Sequence, residues 1–140
     1  MNKNSVIGFT SGVFDLFHVG HVNMLRNASS QCDKLIVGVS TDELVASYKD
    51  KSPIIPFAER VEVVRSVRYV DTVVPQESMD KFVLWEKLKY KVMFVGDDWF
   101  ASKKWIELDQ KFKKVGVKIV YFPYTKGISS TLINKILLER

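Results

Sequence analysis

The chain has 140 residues, 46% of them hydrophobic and 26% charged, with a net charge of +5 and one cysteine. That length fits a single domain over 1–140 with a sizeable core, and no apolar run approaches the roughly 20 residues that span a bilayer. A lone cysteine excludes an internal disulfide and the first residues carry no signal-like apolar stretch, so a cytoplasmic protein with no membrane partner is expected. The lysines are scattered rather than interleaved with aromatics, which argues against nucleic acid, and a small anionic ligand such as a nucleotide accounts for the modest basic excess equally well.

Taken in chain order, short apolar strands are expected at 6–10, 35–40, 72–74, 92–95 and 117–122. Helices fit between and after them, at 20–31, 42–48, 57–68, 79–89, 102–115 and 129–139. Strand and helix alternate throughout, which predicts an α/β protein with one doubly wound parallel sheet, its short apolar strands covered on both faces. Ligands of such sheets bind beyond the carboxyl ends of the strands, where strand order reverses. The loops at that edge are 11–21, 40–57, 75–81, 96–103 and 123–131.

The first of these loops carries the sharpest signal, Gly12-Val13-Phe14-Asp15-Leu16-Phe17-His18-Val19-Gly20-His21. It places both histidines of the chain, His18 and His21, at the passage from a strand into a helix. Unpaired backbone N–H groups and the positive end of the helix dipole favour anions there. Gly20 lets a bulky ligand approach the backbone, and two imidazoles supply donors that can follow charge as it moves during phosphoryl or nucleotidyl transfer. A histidine so placed also serves as an ordinary helix cap. Zinc is a further possibility for two histidines, but Cys32 lies a helix length away and no third ligand is near.

After the second strand come Lys49 and Lys51, cations that either face phosphates or simply keep the loop soluble. Pro56-Phe57-Ala58-Glu59-Arg60 begins a helix, and Arg60 in a first turn opposes the helix dipole, a mild cost that asks for a partner. Gly96-Asp97-Asp98-Trp99 offers carboxylates for a helix start, for ribose or base groups, or for a metal. Trp85, Trp99 and Trp105 read as core. The last loop, Tyr124-Thr125-Lys126-Gly127-Ile128-Ser129-Ser130-Thr131, adds hydroxyls, a glycine and fresh helix N–H groups, a second anion cradle on the same sheet edge.

Taken together, the Gly-x-Phe-Asp-x-x-His-x-Gly-His turn, the Gly-Asp-Asp-Trp segment and the Gly-Ile-Ser-Ser-Thr helix start resemble the small cytidylyltransferases. The likeness is closest to the bacterial glycerol-3-phosphate cytidylyltransferases, and it runs through nearly the whole chain. It implies a Rossmann-like nucleotidyltransferase fold, a homodimer, and transfer of CMP from CTP to a phosphorylated alcohol such as glycerol 3-phosphate, with magnesium as cofactor. It also implies roles by position. His18 and His21 contact the triphosphate and steady the α-phosphorus during in-line attack, with Lys49 and Lys51 beside the reacting phosphates. Gly12, Val13, Phe14, Asp15, Gly20, Arg60 and Asp98 lie along the nucleotide, and Asp15 also fixes its loop and helps hold magnesium. Lys81 faces the acceptor phosphate. Tyr124, Lys126, Gly127, Ile128, Ser129, Ser130 and Thr131 form the second cradle. Two positions depart from the family pattern: Val13 stands where Thr or Ser is usual, and Tyr124 replaces an arginine for which Lys126 is the natural substitute. An adenylyltransferase on the same fold and a nucleotide-binding regulatory module without turnover are the alternative functions. The implied dimer would use 65–71, where arginines flank a tyrosine.

Overall fold

A computed structural model describes residues 5–49, 51–96 and 103–122, together with Leu138. Five parallel strands form one sheet: β1 (Ile7–Gly12), β2 (Lys34–Ser40), β3 (Thr72–Gln76), β4 (Val92–Gly96) and β5 (Lys118–Phe122). Between them run α1 (Val19–Ser29), α2 (Asp42–Lys49), α3 (Phe57–Arg65), α4 (Lys81–Leu88) and α5 (Lys103–Lys114). The spatial order is β3-β2-β1-β4-β5, so the chain winds outward from β1 on one side and then returns to wind outward on the other. The doubly wound α/β architecture expected from the alternating pattern is therefore present. Order reverses between β1 and β4, which pair as Gly8 with Val92, Phe9 with Met93 and Thr10 with Phe94. The buried Thr10 hydroxyl donates to the Phe94 carbonyl at 2.9 Å, adding a side-chain tie between the two strands.

Alternation along each strand sorts the core into two layers. Leu35, Val37 and Val39 of β2 face one way and pack with Leu25 and Ala28 of α1 and Val64 of α3. Ile36 faces the other way, with Phe9, Met93 and the α5 residues Trp105 and Phe112. Phe9 lies flat on Tyr90, ring centroids 4.7 Å apart, and both are fully buried. Burial of a side chain of that size contributes on the order of 2–3 kcal/mol. At Gly8 the layer is so tight that a Cβ would meet Cys32 Sγ and a Phe94 ring carbon, each at 2.7 Å.

The helix ends differ from the sequence expectation for identifiable reasons. The helix expected over 57–68 stops at Arg65, and Ser66 after it turns its hydroxyl back onto the Glu62 carbonyl at 2.8 Å. The one expected from 79 begins at Lys81, where Asp80 caps by accepting from Phe82 N at 3.0 Å. Strand β3 runs through Pro75 to Gln76, beyond the expected end at 74, which a proline permits because β3 is an edge strand. Of the helix expected over 129–139, Leu138 is described and is helical, and the rest lies outside the described residues.

Candidate nucleotide site

The histidine turn follows β1, beside the reversal point, and its geometry is set by the histidines themselves. His18 is the N-cap of α1, with extended backbone at φ −145° and ψ −178°. Its Nδ1 accepts from Gly20 N at 3.0 Å, while His21 Nδ1 accepts from His18 N at 3.1 Å. This is a reciprocal capping box in which imidazoles replace the usual hydroxyl and carboxylate. A ring nitrogen that accepts from a backbone N–H carries no proton, so each neutral ring holds its proton on Nε2. The rings lie 4.1 Å apart, and His21 also stacks on Phe17 at 5.0 Å. Burial and then the neighbouring His18 charge push the His21 pKa down to about 4, against the opposing attraction of Asp15. Burial lowers His18 as well. The turn thus presents two neutral imidazoles, fixed as Nε2–H donors, at the positive end of a helix.

The segment leading to the turn is strained and stapled. Phe14 and Leu16 both sit in the left-handed region, at φ 56° and 49°, which costs non-glycine residues roughly 1–2 kcal/mol each. Phe14 is anchored by burial, and its ring covers Gly12 so closely that a Cβ there would lie 3.1 Å from it. Between them, Asp15 accepts from Leu16 N at 3.1 Å, Ile55 N at 2.9 Å and Ile54 N at 2.8 Å. The role of Asp15 in fixing the loop is visible directly. Asp15 is also the carboxylate expected to help hold magnesium, and here its oxygens accept from three backbone N–H groups. Among the described residues, no group of three or more His, Cys, Asp or Glu side chains is placed to hold a metal.

Arg60 requires a correction. Expected along the nucleotide, its guanidinium is fully buried and directed into the protein. Nε donates to Ile55 O at 2.8 Å, one terminal nitrogen donates to both Val13 O and Ser40 O at 2.7 Å, and the other meets Asp42 Oδ1 at 2.6 Å. The partner that an arginine in a first helical turn asks for is Asp42, which also accepts from Phe57 N at 3.2 Å. Solvent cannot reach this guanidinium, and neither can a nucleotide in this arrangement.

Other expected residues lie around the same edge. Lys81 opens α4, and its Nζ donates to Ser11 Oγ at 2.9 Å, which places it at the carboxyl end of β1. Ser11 was not singled out in the sequence; its position one residue before Gly12 was the available signal. Gly20 and Val13 are half-buried in the turn and the loop before it. Lys49 ends α2 with its Nζ 5.9 Å from the Tyr48 ring centre, and Lys51 is exposed in the connection that leads to Ile54. Asp98, Tyr124, Lys126, Gly127, Ile128, Ser129, Ser130 and Thr131 lie outside the described residues.

Comparison with known proteins places the chain in a family. A family model described as cytidylyltransferase-like matches residues 9–136. The chain belongs to this family. Among curated relatives of this cytidylyltransferase-like protein, the FAD synthase of Pyrococcus abyssi is 40% identical over 90% of the chain and 86% of its own length. The glycerol-3-phosphate cytidylyltransferase of Staphylococcus aureus is 36% identical over 91% of the chain and 92% of its own length. A solved structure of a lipopolysaccharide core biosynthesis protein from Thermoplasma volcanium superposes with a TM-score of 0.72 at 24% identity, covering 89% of this chain and all of that one. That likeness supports the doubly wound α/β fold. Among the described residues, no helix is long and apolar enough to cross a membrane.

Proposed function

We propose that this cytidylyltransferase-like protein transfers CMP from CTP to the phosphate of a small glycerol-like alcohol, releasing pyrophosphate. An oxygen of the acceptor phosphate attacks the α-phosphorus in line, a new P–O–P linkage forms, and the bond to the β-phosphate oxygen breaks. The observation that carries this reading is the pair of neutral imidazoles locked as Nε2–H donors at the amino end of α1. Such donors stabilise charge that builds on the phosphates, and because they are already fixed no reorganisation is needed as the reaction proceeds. The acceptor phosphate is an anion at neutral pH and serves as nucleophile without a general base.

Lys49, Lys51 and Lys81 supply cations around the reacting phosphates in this reading, and the segment from Tyr124 to Thr131 supplies the second cradle. Magnesium enters as a companion of the triphosphate, neutralising charge on the reacting phosphates. A homodimer through 65–71 belongs to the same reading; light scattering at micromolar concentration that shows only a 16.1 kDa species would exclude it.

The FAD synthase relatives favour a second reading, adenylyl transfer from ATP to a larger phosphate monoester such as FMN. One experiment separates them: pyrophosphate release from each of the four nucleoside triphosphates, with magnesium, against glycerol 3-phosphate, phosphocholine, phosphoethanolamine and FMN. Turnover with CTP and glycerol 3-phosphate supports the first reading, and turnover confined to ATP and FMN replaces it with the second. Tight CTP binding without pyrophosphate from any acceptor would instead describe a regulatory module.

A further inference from the structure

Arg60 ties three stretches of chain to α3, of which the α2–α3 connection is not held by the sheet. Its hydrogen bonds reach the loop before the histidine turn at Val13, the end of β2 at Ser40, the start of α2 at Asp42 and the α2–α3 connection at Ile55. Asp15 spans part of the same gap from the other side, gripping Ile54 N and Ile55 N. Lys51 lies in this connection, three residues before Ile54, and Lys49 ends the helix that enters it. The connection is otherwise exposed at Lys51, Ser52 and Ile54.

We infer that Arg60 is a positioning residue, whose buried guanidinium, with Asp42 and Asp15, sets the lysine-bearing connection against the histidine turn. The role rests on the nucleotidyl-transfer reading for its effect on rate, but not for its effect on structure. The chemistry suits arginine specifically. Its planar fork serves three carbonyls and a carboxylate in divergent directions, whereas a lysine ammonium offers three donors from a single point. Four partners on three segments also explain why the group is buried outright. A guanidinium facing a nucleotide would keep at least one edge open.

The test compares Arg60→Met, Arg60→Lys and Asp42→Asn with the wild type by amide hydrogen exchange and by turnover. Arg60→Met should speed exchange at Ile54 and Ile55 at least tenfold, while amides of the β1–β4 pairing keep wild-type protection. It should lower kcat at least tenfold, the scale expected when catalytic cations shift by about an ångström, and change CTP affinity less than threefold. Arg60→Lys should recover part of both effects. Because Arg60 acts through the connection, adding Lys51→Ala to Arg60→Met should cost less than half of what Lys51→Ala costs alone. If Arg60→Met does not fold, Asp42→Asn carries the same two readouts. Unchanged exchange at Ile54 and Ile55 in a folded variant overturns the positioning role. So do fully independent effects of Arg60→Met and Lys51→Ala on kcat. If the wild type turns over no nucleotide, the transfer reading fails while the exchange measurement still decides the clamp.

Discussion

Replacing His21 separates the two jobs this side chain performs. Its Nδ1 accepts from His18 N at 3.1 Å as half of the capping box, and its ring stacks on Phe17 at 5.0 Å and tilts against Phe14 at 5.5 Å. Alanine removes both. Loss of the cap costs about 1 kcal/mol, and loss of the ring contacts adds about 0.5–1.5 kcal/mol. A total of about 2 kcal/mol corresponds to a fall in Tm of roughly 6–10 °C for a domain of this size. Asparagine keeps an acceptor where Nδ1 stood but places nothing at Nε2, so it should preserve most of the cap. Both variants lose the Nε2–H donor that the proposed reaction offers to the phosphates, and turnover should fall by about a hundredfold or more in each, the scale for one fixed transition-state donor. Differential scanning calorimetry and initial rates of pyrophosphate release measure the two effects independently. His21→Asn with turnover within threefold of wild type would refute the catalytic assignment. His21→Ala with an unchanged Tm would refute the cap.

Three further outcomes follow from other residues. The His21 pKa lies below its unfolded value, so its neutral form contributes stability that is complete above about 6.5 and is lost as pH falls toward 4. Urea titrations between those limits should show a loss of up to about 3 kcal/mol that His21→Asn largely abolishes, and equal acid sensitivity in that variant would count against it. Gly8→Ala should destabilise by about 1–3 kcal/mol, because the new Cβ meets Cys32 Sγ and Phe94 at 2.7 Å, and Cys32→Ala should relieve part of the loss. Lys126→Ala should raise KM for the nucleotide and lower kcat if Lys126 replaces the missing arginine; kinetics equal to wild type at low and saturating CTP would show a solvated loop lysine instead.

The alternation of short apolar strands with helical spacings was enough to determine the five-stranded parallel sheet. Periodicity is a local property that each segment carries on its own. The histidine turn was equally legible, since a strand, a tight loop and a helix start are written consecutively from Val6 to Ala28. Partners distant along the chain were beyond the sequence. That His18 Nδ1 accepts from Gly20 N and His21 Nδ1 from His18 N depends on ring rotamers, and that Asp15 spends its oxygens on Ile54 N and Ile55 N depends on a loop some forty residues away. Arg60 shows the difference most clearly. Its position in a first helical turn signalled the need for a partner, but whether that partner was a ligand phosphate or Asp42 turned on the direction of one long side chain. Spacing leaves that direction open. Here it was decided by packing: α3 lies on the layer formed by β2 and α1, which encloses the guanidinium among the carbonyls of Val13, Ser40 and Ile55, and a buried cation must take every partner within reach.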